Sequence, residues 1–180
     1  YVFEQCVVGG AVPKNFYPAV EKGIAEAVKK GPLAAYPVTG VKAVLYDGSY
    51  HPVDSSELAF KVAAKQAFKK GFLEAKPVLL EPIATLKVIV PDSYTGDVMG
   101  DLNKRRGRVM GMNPIGNGYQ EIVADIPMLE MYGYNTQLRS MTSGSGTFSY
   151  EVARYEQAPD DVAQKEIEAR AGKLTDNEEL

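Results

Sequence analysis

Residues 83–155 run as IATLKVIV (83–90), PDSYTGDVMGDLNKRRG (91–107), RVMGMN (108–113), PIGNG (114–118), YQEIVADI (119–126), PMLEMYGYNTQLRS (127–140), MTSGSG (141–146) and TFSYEVARY (147–155). The first, fifth and last pieces are rich in β-branched and aromatic residues, the third is short and mostly apolar, and each is bordered by Gly or Pro, which is how strands read. Between them the spacing predicts a helix from about Ser93 to Arg106, with Asp92 as N-cap, and a second from Met128 to about Ser140. Pro114 to Gly118 reads as a Gly-rich hairpin. The order is βαββαβ, in which two helices cover one face of a four-stranded antiparallel sheet.

Upstream, Val2 to Val8 reads as a strand and Gly9–Gly10 as a turn. A helix starts at Pro18 and carries Val20, Ile24, Ala27 and Val28 at the helical period, ending at Gly31–Pro32. Pro37 to Leu45 reads as a second strand, and a helix from about Ser55 to Phe72 is expected to bury Leu58, Ala59, Val62, Ala63 and Ala67. The stretch Leu73 to Pro82, with Pro77 and Pro82, is the expected domain boundary. From Pro159 a short helix is expected through Arg170, followed by a polar, disordered end. The fold class is thus α+β, with two two-layer α/β sandwiches, the second ferredoxin-like, and domains at 1–79, 80–157 and a tail at 158–180.

With 180 residues and 45% hydrophobic content, the chain can bury one large core or two small ones, and the pattern favours two. Its one cysteine excludes an internal disulfide, and no apolar run approaches the about 18 residues of a membrane span. A cytoplasmic, monomeric protein with no membrane association is expected. The net charge of −3 conceals an asymmetry: from Glu156 onward there are eight acidic and three basic residues, which leaves the rest at +2. That is too little for a bulk attraction to nucleic acid, so any such contact must come from local clusters.

The only histidine, His51, sits in LYDGSYHPVDSS (45–56). Asp47–Gly48 is a dipeptide that permits positive φ, and Pro52 keeps His51 out of the helical region, which places the imidazole on an exposed tip. Asp54 and Glu57 have capping-box spacing and should start the following helix. A general base beside Cys6, or a metal ligand, are the catalytic alternatives. One His and one Cys cannot furnish the three or four ligands of a zinc site, and Cys6 lies in a strand as an expected buried, inert thiol. The residues alone favour an exposed loop histidine without a role.

Two basic clusters remain. Lys61, Lys65 and Lys69, with Lys70 beside them, form either a solvated helix face or a phosphate-facing stripe. Lys104, Arg105, Arg106 and Arg108 gather at a helix C-terminus, where the helix dipole accounts for part of the pattern and Arg forks suit phosphate oxygens. The run SGSGT (143–147) is a helix-to-strand connection, and GxxxxGK[ST] occurs nowhere, so the chain has no P-loop.

The segments LYDGSYHPVDSSELAFKVAA, PVLLEPI, YTGDVMGDLNKRRGRVMGM and EMYGYNTQLRSMTSGSGTFSYEVARYEQAP resemble the C-terminal part of bacterial elongation factor G, the GTPase that drives translocation on the ribosome. The resemblance runs in order from about residue 3 to residue 159. It implies that residues to about Leu79 are the greater part of the fourth domain, similar to a ribosomal-protein domain with a left-handed βαβ crossover. Leu80 to about Gln157 would be the ferredoxin-like fifth domain. It further implies that the tip loop, with Asp47, Gly48, Ser49, Tyr50, His51 and Pro52, enters the decoding centre behind the moving tRNA–mRNA complex, where His51 and Tyr50 hydrogen-bond and stack on RNA. Lys104, Arg105 and Arg106 would contact ribosomal RNA near the stalk base and its proteins. No catalytic residue, metal or cofactor is expected in this stretch, and GTP with Mg²⁺ would belong to the full-length protein.

The chain departs from the family's pattern in three places. It is expected to begin inside the fourth domain, without the preceding strand and its Gly-rich tip loop. Ser145 stands where the family often has Arg, and Asn117, Gly118 and Tyr119 differ from the commonest hairpin. These differences point to a divergent paralogue. Alternatives are a factor specialised for ribosome recycling or for protecting ribosomes from an antibiotic, and, more remotely, a stand-alone hydrolase on a ferredoxin-like fold.

Overall fold

A computed structural model describes residues 1–175. The chain forms two compact units, one of residues 1–77 together with the C-terminal stretch from Pro159, the other of Val78–Ala158. The expected disorder at the C-terminus falls largely on residues 176–180, which lie outside the described residues. Before them the chain is helical, in α5 (Asp160–Ala169) and the short turn α6 (Gly172–Thr175).

In the first unit β1 (Val2–Gln5) and β2 (Lys42–Leu45) pair in parallel, Val2 opposite Lys42 and Gln5 opposite Leu45. Parallel neighbours need a crossover, here α1 (Tyr17–Lys29) with Pro18 in its first turn. Both strands are shorter than expected. Cys6 follows β1 and is exposed, which corrects its reading as a buried thiol. Ahead of β2, Gly40 takes a positive φ of 69° and breaks the run from Pro37.

The second helix, α2 (Glu57–Glu74), is capped by Ser56, whose Oγ accepts from Ala59 N at 3.1 Å, so the cap lies two residues beyond Asp54. Its inward face also differs from expectation. Ala64 is buried with Phe60 and Phe68 beside it, against Val20 and Ile24 of α1, while Leu58 is 69% exposed. Gly23 of α1 permits the close approach, because a Cβ there would stand 2.6 Å from the Lys61 carbonyl oxygen. Lys61 and Lys65 then reach Glu26 of α1, each at 2.7 Å. Half of the expected lysine stripe is therefore a helix-to-helix clamp. Ala63 and Ala67 line an open groove of about 580 Å³ together with Phe3, Val12, Ala43 and Leu45.

The second unit has the expected layers. Its sheet runs β4 (Arg108–Gly116), β5 (Tyr119–Pro127), β3 (Leu80–Pro91), β6 (Thr147–Gln157), all antiparallel neighbours. Alternation puts Ala84, Leu86, Val88 and Val90 of β3 on the same buried face as Ile122, Ala124 and Ile126 of β5. Helices α3 (Thr95–Lys104) and α4 (Tyr134–Met141) cover that face with Val98, Leu102, Tyr134 and Leu138. The β4–β5 hairpin closes on Asn117–Gly118, both at positive φ, the two-residue loop whose twist matches the strands. Each helix starts later than expected, after a 3-10 turn: Asp92–Tyr94 before α3 and Met128–Glu130 before α4. Asp92 accordingly caps nothing through its side chain, and instead its carbonyl accepts from Thr95 Oγ1 at 2.8 Å.

Candidate nucleic-acid interface

The tip loop is braced from three sides. His51 N donates to Ser55 Oγ at 2.9 Å and Ser55 N donates to the His51 carbonyl at 2.9 Å, a reciprocal pair that closes the turn around Pro52. Behind it Tyr50 packs on Phe16 with ring centroids 5.7 Å apart, and Phe16 stacks on Phe60 at 4.5 Å. Gly48 is needed for proximity rather than for positive φ: a Cβ there would lie 2.6 Å from Cγ2 of Val12, which is 1% exposed. Asp47 Oδ1 accepts from Gly48 N at 2.8 Å.

What the loop presents outward is polar and aromatic. Asp47, Ser49, His51 and Pro52 are all exposed, and Tyr50 keeps 41% of its surface open. A backbone fixed by hydrogen bonds and an aromatic stack, with an imidazole and a phenol left to solvent, suits stacking and hydrogen bonding on an unpaired base. Among the described residues no group of three His, Cys, Asp or Glu side chains is placed to hold a metal.

The basic cluster at the end of α3 divides into inward and outward members. Arg105 donates from Nε to Asp101 at 3.1 Å and from Nη1 to the carbonyls of Glu130 (2.6 Å) and Tyr132 (3.1 Å), with its guanidinium 5.1 Å from the Tyr134 ring centroid. Arg106 grips Glu81 with two nitrogens, at 2.8 and 3.0 Å, and Glu130 with Nε at 2.9 Å. Glu81 is 4% exposed, and its bonds hold the Arg106 guanidinium still more firmly protonated than an ordinary arginine. These forks are occupied by protein groups: Arg105 and Arg106, expected to contact ribosomal RNA, hold carboxylates and backbone carbonyls of their own unit. Lys104 is exposed and in no ion pair among the described residues. It borders a shallow groove with Gly96, Asp97, Gly100 and Gln137.

Sequence reasoning missed Glu81, Asp101 and Glu130 as the cluster's partners. The spacing Asp101–Arg105 was available as an i,i+4 pair, whereas Glu81 and Glu130 are 25 and 24 residues from Arg106 and left no local trace. Burial also pushes the Tyr134 hydroxyl up, with Asp101 adding to the shift, and that hydroxyl has no hydrogen-bond partner among the described residues.

The family model described as elongation factor G, domain IV, matches residues 1–76, and that described as elongation factor G C-terminus matches residues 78–166. An elongation factor G-like protein of Thermotoga maritima is 50% identical over 178 residues, 99% of this chain and 26% of its own length. A crystal structure of a protein from Thermus thermophilus is similar with a TM-score of 0.79 and 46% identity, over 96% of this chain and 26% of that one. The chain thus spans about a quarter of the length of these relatives. No helix among the described residues is long and apolar enough to cross a membrane. From the first residue to the middle of α5, the chain belongs to the elongation factor G family, as its domain IV and C-terminus.

Proposed function

We propose that this chain is the ribosome-engaging arm of a translational GTPase that promotes movement of tRNA and mRNA during protein synthesis. The observation that carries the reading is the braced tip: an exposed His51 and a half-open Tyr50 on a loop closed by the His51–Ser55 pair, within a domain IV sequence. In this reading Asp47, Gly48, Ser49, Tyr50, His51 and Pro52 meet RNA of the decoding centre and the tRNA–mRNA complex. Lys104 meets a phosphate of large-subunit RNA near the stalk base. GTP and Mg²⁺ act elsewhere in the full-length protein, and its site of work is the cytoplasm.

The test is rapid kinetics on the full-length protein. His51→Ala slows translocation and leaves GTP hydrolysis nearly intact, because the tip acts on the RNA and not on the nucleotide. Unchanged translocation overturns the assignment. Ser145, standing where the family often has Arg, motivates a second reading as a recycling or protection factor. Subunit splitting without translocation by the wild-type protein would favour that reading.

A further inference from the structure

We propose that residues 159–171 are a releasable strap that returns to complete the first unit after the chain has formed the second, with Tyr36, Glu166 and Arg170 as its clasp. The family match for the C-terminus ends at Glu166, inside α5, and so groups most of this helix with the second unit. Geometry groups it with the first.

The Arg170 guanidinium lies 3.7 Å from the Tyr36 ring centroid, donates from Nε to the Ala34 carbonyl at 2.6 Å and reaches the Ala35 carbonyl at 3.4 Å. The Tyr36 hydroxyl donates to Glu166. One arginine therefore uses its flat face on the ring and its edge on two backbone oxygens, which a lysine cannot imitate. The loop it holds is a tight one. Ala35 sits at a φ of 59°, unusual for a residue with a side chain, and Ala34 and Ala35 are 2% and 7% exposed. Gly31 N donates to the Tyr36 carbonyl at 2.9 Å, and Val38 N donates to the Val28 carbonyl at 2.7 Å. Along α5 the half-buried positions are Val162, Ala163, Glu166 and Ile167, with Arg170 following, a single helical stripe.

The strap is built to open. Its purchase is three polar contacts, a ring stack at the rim and a half-buried stripe, with no fully buried residue in α5, and segments of that kind open below the global unfolding free energy. Opening would leave Ala35 in its left-handed turn without the Arg170 bonds to its own and the Ala34 carbonyl.

Amide hydrogen exchange on the whole chain tests this. Arg170→Ala is expected to raise exchange at Gly31, Ala35 and Val38 at least tenfold, with amides of β3 and β5 unchanged. Arg170→Lys should behave nearly as Arg170→Ala, and Tyr36→Phe, which keeps the ring and loses the bond to Glu166, should fall between. Tryptic cleavage after Lys165 should accelerate in the same order. Exchange within twofold of wild type in Arg170→Lys and Tyr36→Phe would overturn the strap, as would an equal rise in β3 and β5.

Discussion

Arg106 holds Glu81 through two parallel bonds while its own backbone stands at a φ of 57°. It occupies the position after the α3 C-cap where glycine is usual: Gly107 N returns to the Leu102 carbonyl at 2.8 Å and Arg106 N to Asn103 at 3.3 Å, the paired closure of a Schellman end. The left-handed turn aims the arginine back under the start of β3. A buried pair broken on one side leaves an uncompensated charge at a cost of about 3 to 5 kcal/mol, and the partly exposed guanidinium places this pair toward the lower end. Arg106→Gln is expected to destabilise the second unit by about 3 kcal/mol, read by denaturant unfolding. The salt dependence of ribosome binding should stay as in wild type.

Lys104 gives the opposite signature. Lys104→Gln is expected to reduce the slope of log affinity against log salt for ribosome binding by about one. Its thermal transition should not move, since the exposed side chain is in no ion pair among the described residues. An unaltered slope would leave Lys104 as a solvated surface residue.

Gly48→Ala tests how the tip is held. The added methyl meets Val12 at 2.6 Å, and overpacking of this kind costs about 1 to 3 kcal/mol. Loss of stability in the first unit together with slower translocation is expected. His51→Ala should share only the second effect, because exposed substitutions of this sort change stability by about 0.5 kcal/mol or less.

The α1–α2 clamp makes a pH prediction. Side-chain bonds from Lys61 and Lys65 bring the Glu26 carboxyl down to about 2 from an ordinary carboxylate value. A group whose folded pKa is lowered contributes stability above its unfolded value, and loses it as pH falls from there through the folded one. The first unit should weaken between about pH 4.5 and 2. Glu26→Gln should flatten that part of the curve, as followed by circular dichroism across an acid titration.

Ser56→Ala removes the α2 cap, with an expected cost of about 1 kcal/mol in the first unit's unfolding. Asp54→Ala should cost less, which separates the observed cap from the one the capping-box spacing suggests.

The second unit was legible because its signals are local. Apolar residues at alternate positions of β3 and β5, and Asn117–Gly118 at the hairpin, each specify their element within a few residues. The first unit was harder. In α2 the apolar residues Leu58 and Val62 lie outside the seam, and the face that packs is chosen by Gly23, whose missing side chain lets α1 come close. At the candidate site the exposed His51 followed from its turn chemistry. The Arg106 partners Glu81 and Glu130 did not, since they come from other elements, and a basic run reads alike whether its charges are free or spent inside.

The groove walled by Phe3, Ala43, Leu45, Ala63 and Ala67 leaves apolar surface already hydrated in the folded first unit. Unfolding exposes less new surface there than in the second unit, whose core residues are almost wholly dry. Per residue, the first unit should therefore melt with a smaller heat-capacity increment and a shallower denaturant slope, so that calorimetry of the isolated chain resolves two transitions of unequal curvature.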